Sequence, residues 1–240
     1  MSVTERVDME AAFILHAISY RETSQILDVL TQDHGRVALV ANGSRRPKSR
    51  WKSTLRPFQP FRMSWSGRGS LYTLRAAESS APGARLAGTP LMAAYYMSEL
   101  LIALVHQGDS HPGLFTHYAG ALAALSAGTD AEPVLRRFEI SLLAEIGYGL
   151  MIDRDVVEDK PLVNDKRYEY VIDRGPVPVS ETHSGALVFL GSELLAMACG
   201  EFQSDGQLKS AKRLLRAILK SNLGDRTLKT RTVFASMRRS

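Results

Sequence analysis

A single cysteine, Cys199, stands in 240 residues. That excludes an internal disulfide and any zinc site built on two or more thiolates, and it fits a reducing compartment. No apolar run reaches the roughly 20 residues of a membrane span; the longest, Leu91–Val105, is broken by Ser98 and Glu99. Met1–Glu10 carries Glu5, Asp8 and Glu10 and no apolar stretch, which is not the pattern of a signal peptide. The expected location is the cytoplasm. GxxxxGK[ST], GxSxG and HExxH are all missing, so nucleotide hydrolysis and the commonest nucleophile and zinc-hydrolase chemistries have no support, and no cofactor or metal is expected.

The most informative absence is of acid. From Arg36 to Arg75 there are ten basic residues and no Asp or Glu. The net charge of +5 is unevenly spread: residues 1–80 balance to +5, residues 81–205 to −9 and residues 206–240 to +9. A chain with basic ends and an acid-free stretch of this length has a polyanion as its natural partner.

What is present divides into two patterns. Up to Ser80, short runs rich in Ile, Val, Leu, Phe and Trp alternate with turn residues, predicting strands over 12–19, 25–31, 36–42, 58–65 and 70–77. Gly35 closes the second hairpin, and Gly67 with Gly69 the last. Five strands with one long loop, Gly43–Pro57, predict an OB-fold barrel over residues 1–80. Pro82, Gly83, Gly88 and Pro90 then break the chain, and the apolar period becomes helical. Helices are predicted over 89–107 capped by Thr89, 110–127, 133–146 ending at Gly147, 192–202, and 207–222 capped by Asp205. A hairpin of 167–172 with 177–180 interrupts them around Gly175-Pro176. The expected class is α+β: the barrel, then a mainly α-helical domain over 81–240 with a small β-hairpin insertion.

The loop Gly43–Pro57 carries Arg45, Arg46, Lys48, Arg50, Lys52 and Arg56 around Trp51, with no carboxylate. Six cations so close repel one another until phosphates neutralise them, and counterions released from nucleic acid drive that contact. Arg36 and Arg68 are expected on the same barrel face. Trp51 is the stacking candidate for a base, while Phe58, Phe61, Trp65 and Tyr72 are mainly core. His106, His111 and His117 with Asp109 match no metal-site spacing. Asp153, Asp155, Glu158 and Asp159 read as a solvated loop; a small hydrolase using Asp155 or Glu158 is a remote alternative. Cys199 reads as a small core residue.

Several segments, taken in order, resemble one family. They are Ala12-Phe13-Ile14-Leu15-His16, Glu22-Thr23-Ser24, Gly35-Arg36-Val37, Arg56-Pro57-Phe58-Gln59-Pro60, and Gly67-Arg68-Gly69 with Leu74-Arg75-Ala76-Ala77-Glu78. Leu135-Arg136-Arg137-Phe138-Glu139, Gly147-Tyr148-Gly149, Leu223-Gly224 and Leu228-Lys229-Thr230-Arg231 extend the likeness over nearly the whole chain. Together they resemble the bacterial recombination mediator family RecO. The resemblance implies a non-enzymatic DNA repair and recombination protein of the cytoplasm, associated with the nucleoid. It implies binding of single- and double-stranded DNA, annealing of complementary strands, and work with RecR to load RecA onto DNA coated by single-stranded DNA-binding protein. Many members carry a four-cysteine zinc site in the region of Asp153–Ser180; with no cysteine there, this sequence resembles the zinc-free branch. An OB-fold RNA-binding or ribosome-associated factor is the alternative reading.

The resemblance also implies contact with the acidic C-terminal tail of single-stranded DNA-binding protein. Arg136 and Arg137 interrupt a helix that otherwise presents Leu135, Phe138 and Leu142, an arrangement expected to form an apolar pocket rimmed by cations. Lys212, Arg213 and Arg216 are expected to extend that rim, and pairing of Arg136 or Arg137 with Glu139 or Glu132 is the competing expectation.

Overall fold

The computed structural model describes residues 5–51 and 54–230. The order is β1 (Glu5–Tyr20), β2 (Ser24–Thr31), β3 (Arg36–Ala41), β4 (Pro60–Gly67), β5 (Leu71–Ser79), α1 (Gly88–Leu104), α2 (Pro112–Ser126), α3 (Ala131–Glu145), β6 (Arg167–Val171), β7 (Gly175–Pro178), β8 (Val188–Leu190), α4 (Gly191–Cys199) and α5 (Asp205–Leu223). The α+β class and the N-terminal OB-fold are as expected. By contact the chain forms two units: one runs to Gly128 and takes in the chain again from Leu228, and the other is Thr129–Thr227.

In the first unit the five strands close into a barrel in the order β1-β2-β3-β5-β4. β1 makes the closure. Its first half pairs antiparallel with β4, Ala12 and Phe13 pair with both neighbours, and the rest pairs with β2 through Tyr20↔Ser24. Two register shifts, between Val7 and Glu10 and between Ile14 and His16, bend it between its two partners. At the first, Met9 sits at φ 52°, its N–H donating to Ser64 Oγ (2.9 Å) and its carbonyl accepting from Arg62 Nη1 (3.2 Å). β3 and β5 run parallel through Ala38↔Leu71 to Val40↔Thr73.

Alternate residues point inward, so Ile14, Leu27, Val29, Leu39, Met63 and Trp65 are fully buried. Trp51, Leu55 and Tyr72 pack partly against this core. Helices α1 and α2 belong to the same unit: Phe13 of β1 lies 5.3 Å from the Phe115 ring and 5.5 Å, edge-on, from Tyr118. The Tyr118 hydroxyl meets Ser98 Oγ at 2.8 Å, and burial pushes the Tyr118 pKa well above its ordinary value.

In the second unit β6 is flanked by β7 and β8, and α3 and α4 pack on α5. The amphipathic α5 buries Leu214, Leu215, Ile218 and Leu219 and leaves Arg213, Arg216 and Lys220 outside. Local details differ from expectation. Ser204, not Asp205, caps α5, accepting from Gln207 N at 3.3 Å. Thr89 lies inside α1, which has no side-chain cap. β8, three residues long, was not anticipated. Cys199 ends α4 at the surface rather than in the core, because Gly200, at φ 67°, turns the chain immediately after it.

Candidate nucleic-acid interface

The loop between β3 and β4 begins as a series of tight turns. Ser44 N donates to Ala41 O, Arg46 N to Gly43 O and Ser49 N to Arg46 O. Its base is tied to the β1–β2 turn: Arg45 N donates to Thr23 O (2.8 Å) and Gly43 N to Ser24 Oγ (3.2 Å). The backbone is therefore held while the side chains of Arg45, Arg46, Lys48, Arg50 and Arg56 all face solvent. Among the described residues none of the five pairs with a carboxylate. Lys52 lies outside the described residues.

Trp51 is half-buried, one side against the barrel. The Arg50 guanidinium stands over the indole at 4.3 Å and Arg50 Nη2 donates to Arg75 O at 3.0 Å, a cation–π contact at the edge of the barrel. Arg50, Trp51 and Thr54 face Ala76, Ala77 and Glu78 of β5 across an open groove of about 200 Å³. The indole expected to stack on a base thus already carries a guanidinium on its face. Arg68 is exposed in the β4–β5 turn.

Arg36 departs from the expected set. Its side chain is 13% exposed and pairs with Asp28 Oδ1 at 2.8 Å, and its Nε donates to the carbonyl of Val105 at 3.0 Å. Val105 is the C-cap of α1, so this cation meets the negative end of a helix and fastens α1 to the barrel. Arg21, by contrast, was missed. It occupies the β1–β2 turn at φ 51°, exposed and 5.0 Å from the Tyr20 ring, in the turn to which the basic loop is tied. An arginine in the first hairpin of an OB-type barrel was the available signal.

In the second unit the expected cationic pocket takes a different form. Arg136 is not on a rim: its side chain is 6% exposed and its Nη1 lies 2.9 Å from Glu139 Oε2, itself 1% exposed. Glu132 approaches Arg136 Nε at 3.9 Å and pairs with Lys212 Nζ at 2.5 Å, joining α3 to α5. Leu135 and Phe138 are buried. Carboxylates one helical turn away outcompete solvent for Arg136 because the helix has turned that position inward. Arg137, Arg213 and Arg216 remain exposed. Arg137 Nε donates to Gly200 O (2.6 Å), and Arg213 lies 4.4 Å over Phe189 and donates to Val188 O (2.8 Å).

The sequence matches the profile described as recombination protein O N terminal over residues 8–82 and that of recombination protein O C terminal over residues 85–232. The chain belongs to the RecO family. Its relatives include the DNA repair protein RecO of Aromatoleum aromaticum, 41% identical over 99% of both chains. That of an Azoarcus species is 40% identical over 99% of both, and that of Vibrio cholerae is 40% identical over 94% of this chain and 93% of its own. As a RecO-family member the chain is a DNA repair and recombination protein and not an enzyme. Among the described residues no helix is long and apolar enough to cross a membrane.

The acidic segment of this RecO-family chain is a self-paired turn. The Asp155 carboxylate accepts from Glu158 N (2.7 Å) and Val157 N (3.0 Å). Arg154 pairs with Asp159 and Lys160 with Glu158. The Glu158 N–H, opposed by partial burial and reinforced by the Val157 N–H, holds the Asp155 carboxyl below the usual carboxylate range. A lowered folded pKa stabilises the turn above the unfolded value of about 4 and is lost as pH falls through the folded value. Protection of the Val157 and Glu158 amides, their exchange rate relative to the intrinsic rate at the same pH, is therefore expected to fall on acidification in the wild type. In Asp155→Asn that protection should be low already at neutral pH and lack that step. An identical acid response in both proteins would show that Asp155 does not hold the turn.

Proposed function

We propose that this chain binds single- and double-stranded DNA through the cations of its first unit and anneals complementary strands. With RecR, it helps load RecA onto DNA coated by single-stranded DNA-binding protein, in the cytoplasm at the nucleoid. The observation that carries this reading is the loop in which Arg45, Arg46, Lys48, Arg50 and Arg56 stand exposed with no carboxylate partner among the described residues. Annealing makes and breaks no covalent bond. It requires that repulsion between two phosphate backbones be screened and that the strands be held together, and surface cations supply both. Arg21 and Arg68, exposed in the β1–β2 and β4–β5 turns, add positive charge to the same unit. A base meets Trp51 by displacing Arg50 or by stacking on the outer face of its guanidinium.

The acidic tail of single-stranded DNA-binding protein is assigned to the second unit, to the exposed cations Arg137, Arg213 and Arg216 rather than to Arg136. Annealing of fluorophore-labelled complementary strands by the purified protein tests the whole reading. Pairing is expected to be faster than the spontaneous reaction, and to stay so when one strand is coated by its cognate single-stranded DNA-binding protein. Annealing at the spontaneous rate on bare DNA would overturn it.

A further inference from the structure

The chain has three asparagines, and only Asn42 is followed by glycine. Asn164 precedes Asp165, and Asn222 precedes Leu223. The carboxamide of an asparagine is open to attack by the backbone nitrogen of the next residue, which closes a five-membered succinimide ring. A side chain on that next residue crowds the approach, and glycine has none.

The fold presents Asn42 for this reaction. Asn42 and Gly43 are the central pair of the turn that leaves β3, closed by Ser44 N donating to Ala41 O at 3.4 Å, with Gly43 at φ 66°. Asn42 is exposed, and among the described residues its carboxamide has no hydrogen-bond partner. The Arg46 side chain lies against Gly43: a Cβ placed on that glycine would stand 3.5 Å from Arg46 Cδ and Nε. A guanidinium beside a peptide group favours loss of the N–H proton and the oxyanion that develops during attack. One contact opposes the reaction. Gly43 N–H donates to the Oγ of the buried Ser24 at 3.2 Å, so the nucleophile must release Ser24 before it can turn toward Asn42 Cγ.

We infer that Asn42 is a deamidation site at the foot of the basic loop, restrained by Ser24. Gly43 N gives its electron pair to Asn42 Cγ as the Cγ–Nδ2 bond breaks, and its proton passes through water to the departing nitrogen, which leaves as ammonia. A second water opens the ring. Cleavage between Gly43 N and Cγ leaves aspartate; cleavage between Gly43 N and the Asn42 carbonyl carbon leaves isoaspartate, with the chain rerouted through the side chain. Either product is a carboxylate, the first in the stretch from Arg36 to Arg75, and it forms next to Arg46. Pairing with it withdraws Arg46 from phosphate. The loop thereby loses about one contact in a step that does not reverse.

Peptide mapping of the full chain by mass spectrometry, after incubation at mildly alkaline pH, tests this in the wild type, Ser24→Ala and Asn42→Gln. Conversion at Asn42 is expected to run severalfold faster than at Asn164 or Asn222, to yield isoaspartate as well as aspartate, and to be severalfold faster again in Ser24→Ala. It should vanish in Asn42→Gln, since glutamine must close a six-membered ring and does so far more slowly. An Asn42 that converts no faster than the other two asparagines, or that yields aspartate alone, would overturn the site. Equal rates in the wild type and Ser24→Ala would overturn the restraint. A second arm rests on the DNA-binding reading: Asn42→Asp is expected to lower the salt slope on duplex DNA by about 0.9 and the affinity at 0.1 M salt by up to about eightfold. A slope unchanged there but flattened by alanine at Arg45, Arg46 and Lys48 overturns the loss of contact. A slope unchanged in both is a failure of the DNA-binding reading, and the chemistry at Asn42 then stands on the mass data alone.

Discussion

Replacing Arg45, Arg46 and Lys48 together by alanine is expected to flatten the dependence of log K on log salt concentration by about 2.7 for duplex DNA and about 2 for single strands, taking roughly 0.9 and 0.7 counterions per phosphate contact. At 0.1 M salt the release from one duplex contact is worth about a factor of eight, so affinity should fall between roughly tenfold and several hundredfold. The loss should be equal on unrelated sequences, because phosphates carry no sequence information. Folding should be indifferent, within about 0.5 kcal/mol, since the three side chains are exposed and, among the described residues, none is in an ion pair. Arg36→Ala supplies the contrast. It removes the pairing with Asp28 and the bond to Val105, costing about 1.5–3 kcal/mol of stability, and should leave the slope alone. Fluorescence anisotropy across a salt series reads both. A slope unchanged by the triple substitution would show that the loop does not lie on phosphates.

Glu139→Ala is expected to be strongly destabilising to the second unit. It leaves Arg136, 6% exposed, without its 2.9 Å partner, and breaking a buried pair from one side costs about 3–5 kcal/mol. For a chain of this size that lowers the thermal midpoint by roughly 6–20 °C. Glu132 recovers little of it, standing 3.9 Å away and already engaged by Lys212. Removing both charges, as Arg136→Met with Glu139→Leu, should restore most of the loss, because an apolar pair of similar volume has no ion to desolvate. Circular dichroism melts of the two single variants and the double variant complete the cycle. If Glu139→Ala costs less than about 1 kcal/mol, water reaches the pair and the burial argument fails.

The residues that were easy to read in sequence are those whose structure is decided locally. β2, β3 and β5 are short apolar runs bounded by glycines or turns, so they fall within a residue or two of expectation. The opening of β1, Glu5–Glu10, is polar and lies before the predicted strand; it is a strand only because β4 pairs with it and closes the barrel. β8 is too short for any period to show, and exists because β6 offers it an edge. The same division holds among the cations. The basic loop was recognisable because nothing near it in sequence neutralises it. Arg36 looked equivalent, and its true partners, Asp28 and Val105, lie 8 and 69 residues away. Arg136 had its partner at i+3 in plain view, but nothing in the local pattern says that the helix faces that pair inward.

The first unit is assembled from two stretches of chain with all of Thr129–Thr227 between them. Its order of completion during synthesis follows. The barrel, α1 and α2 leave the ribosome early, and through the translation of everything up to Leu228 the Glu99 carboxylate has only water to bind. The second unit is made meanwhile, joined to the first only through Gly128 until Leu228 is added. Only when Lys229 and Thr230 emerge is the lone charge of α1 satisfied. A nascent chain that ends before that point leaves the Glu99 carboxylate without the two backbone N–H groups that hold it in the finished protein.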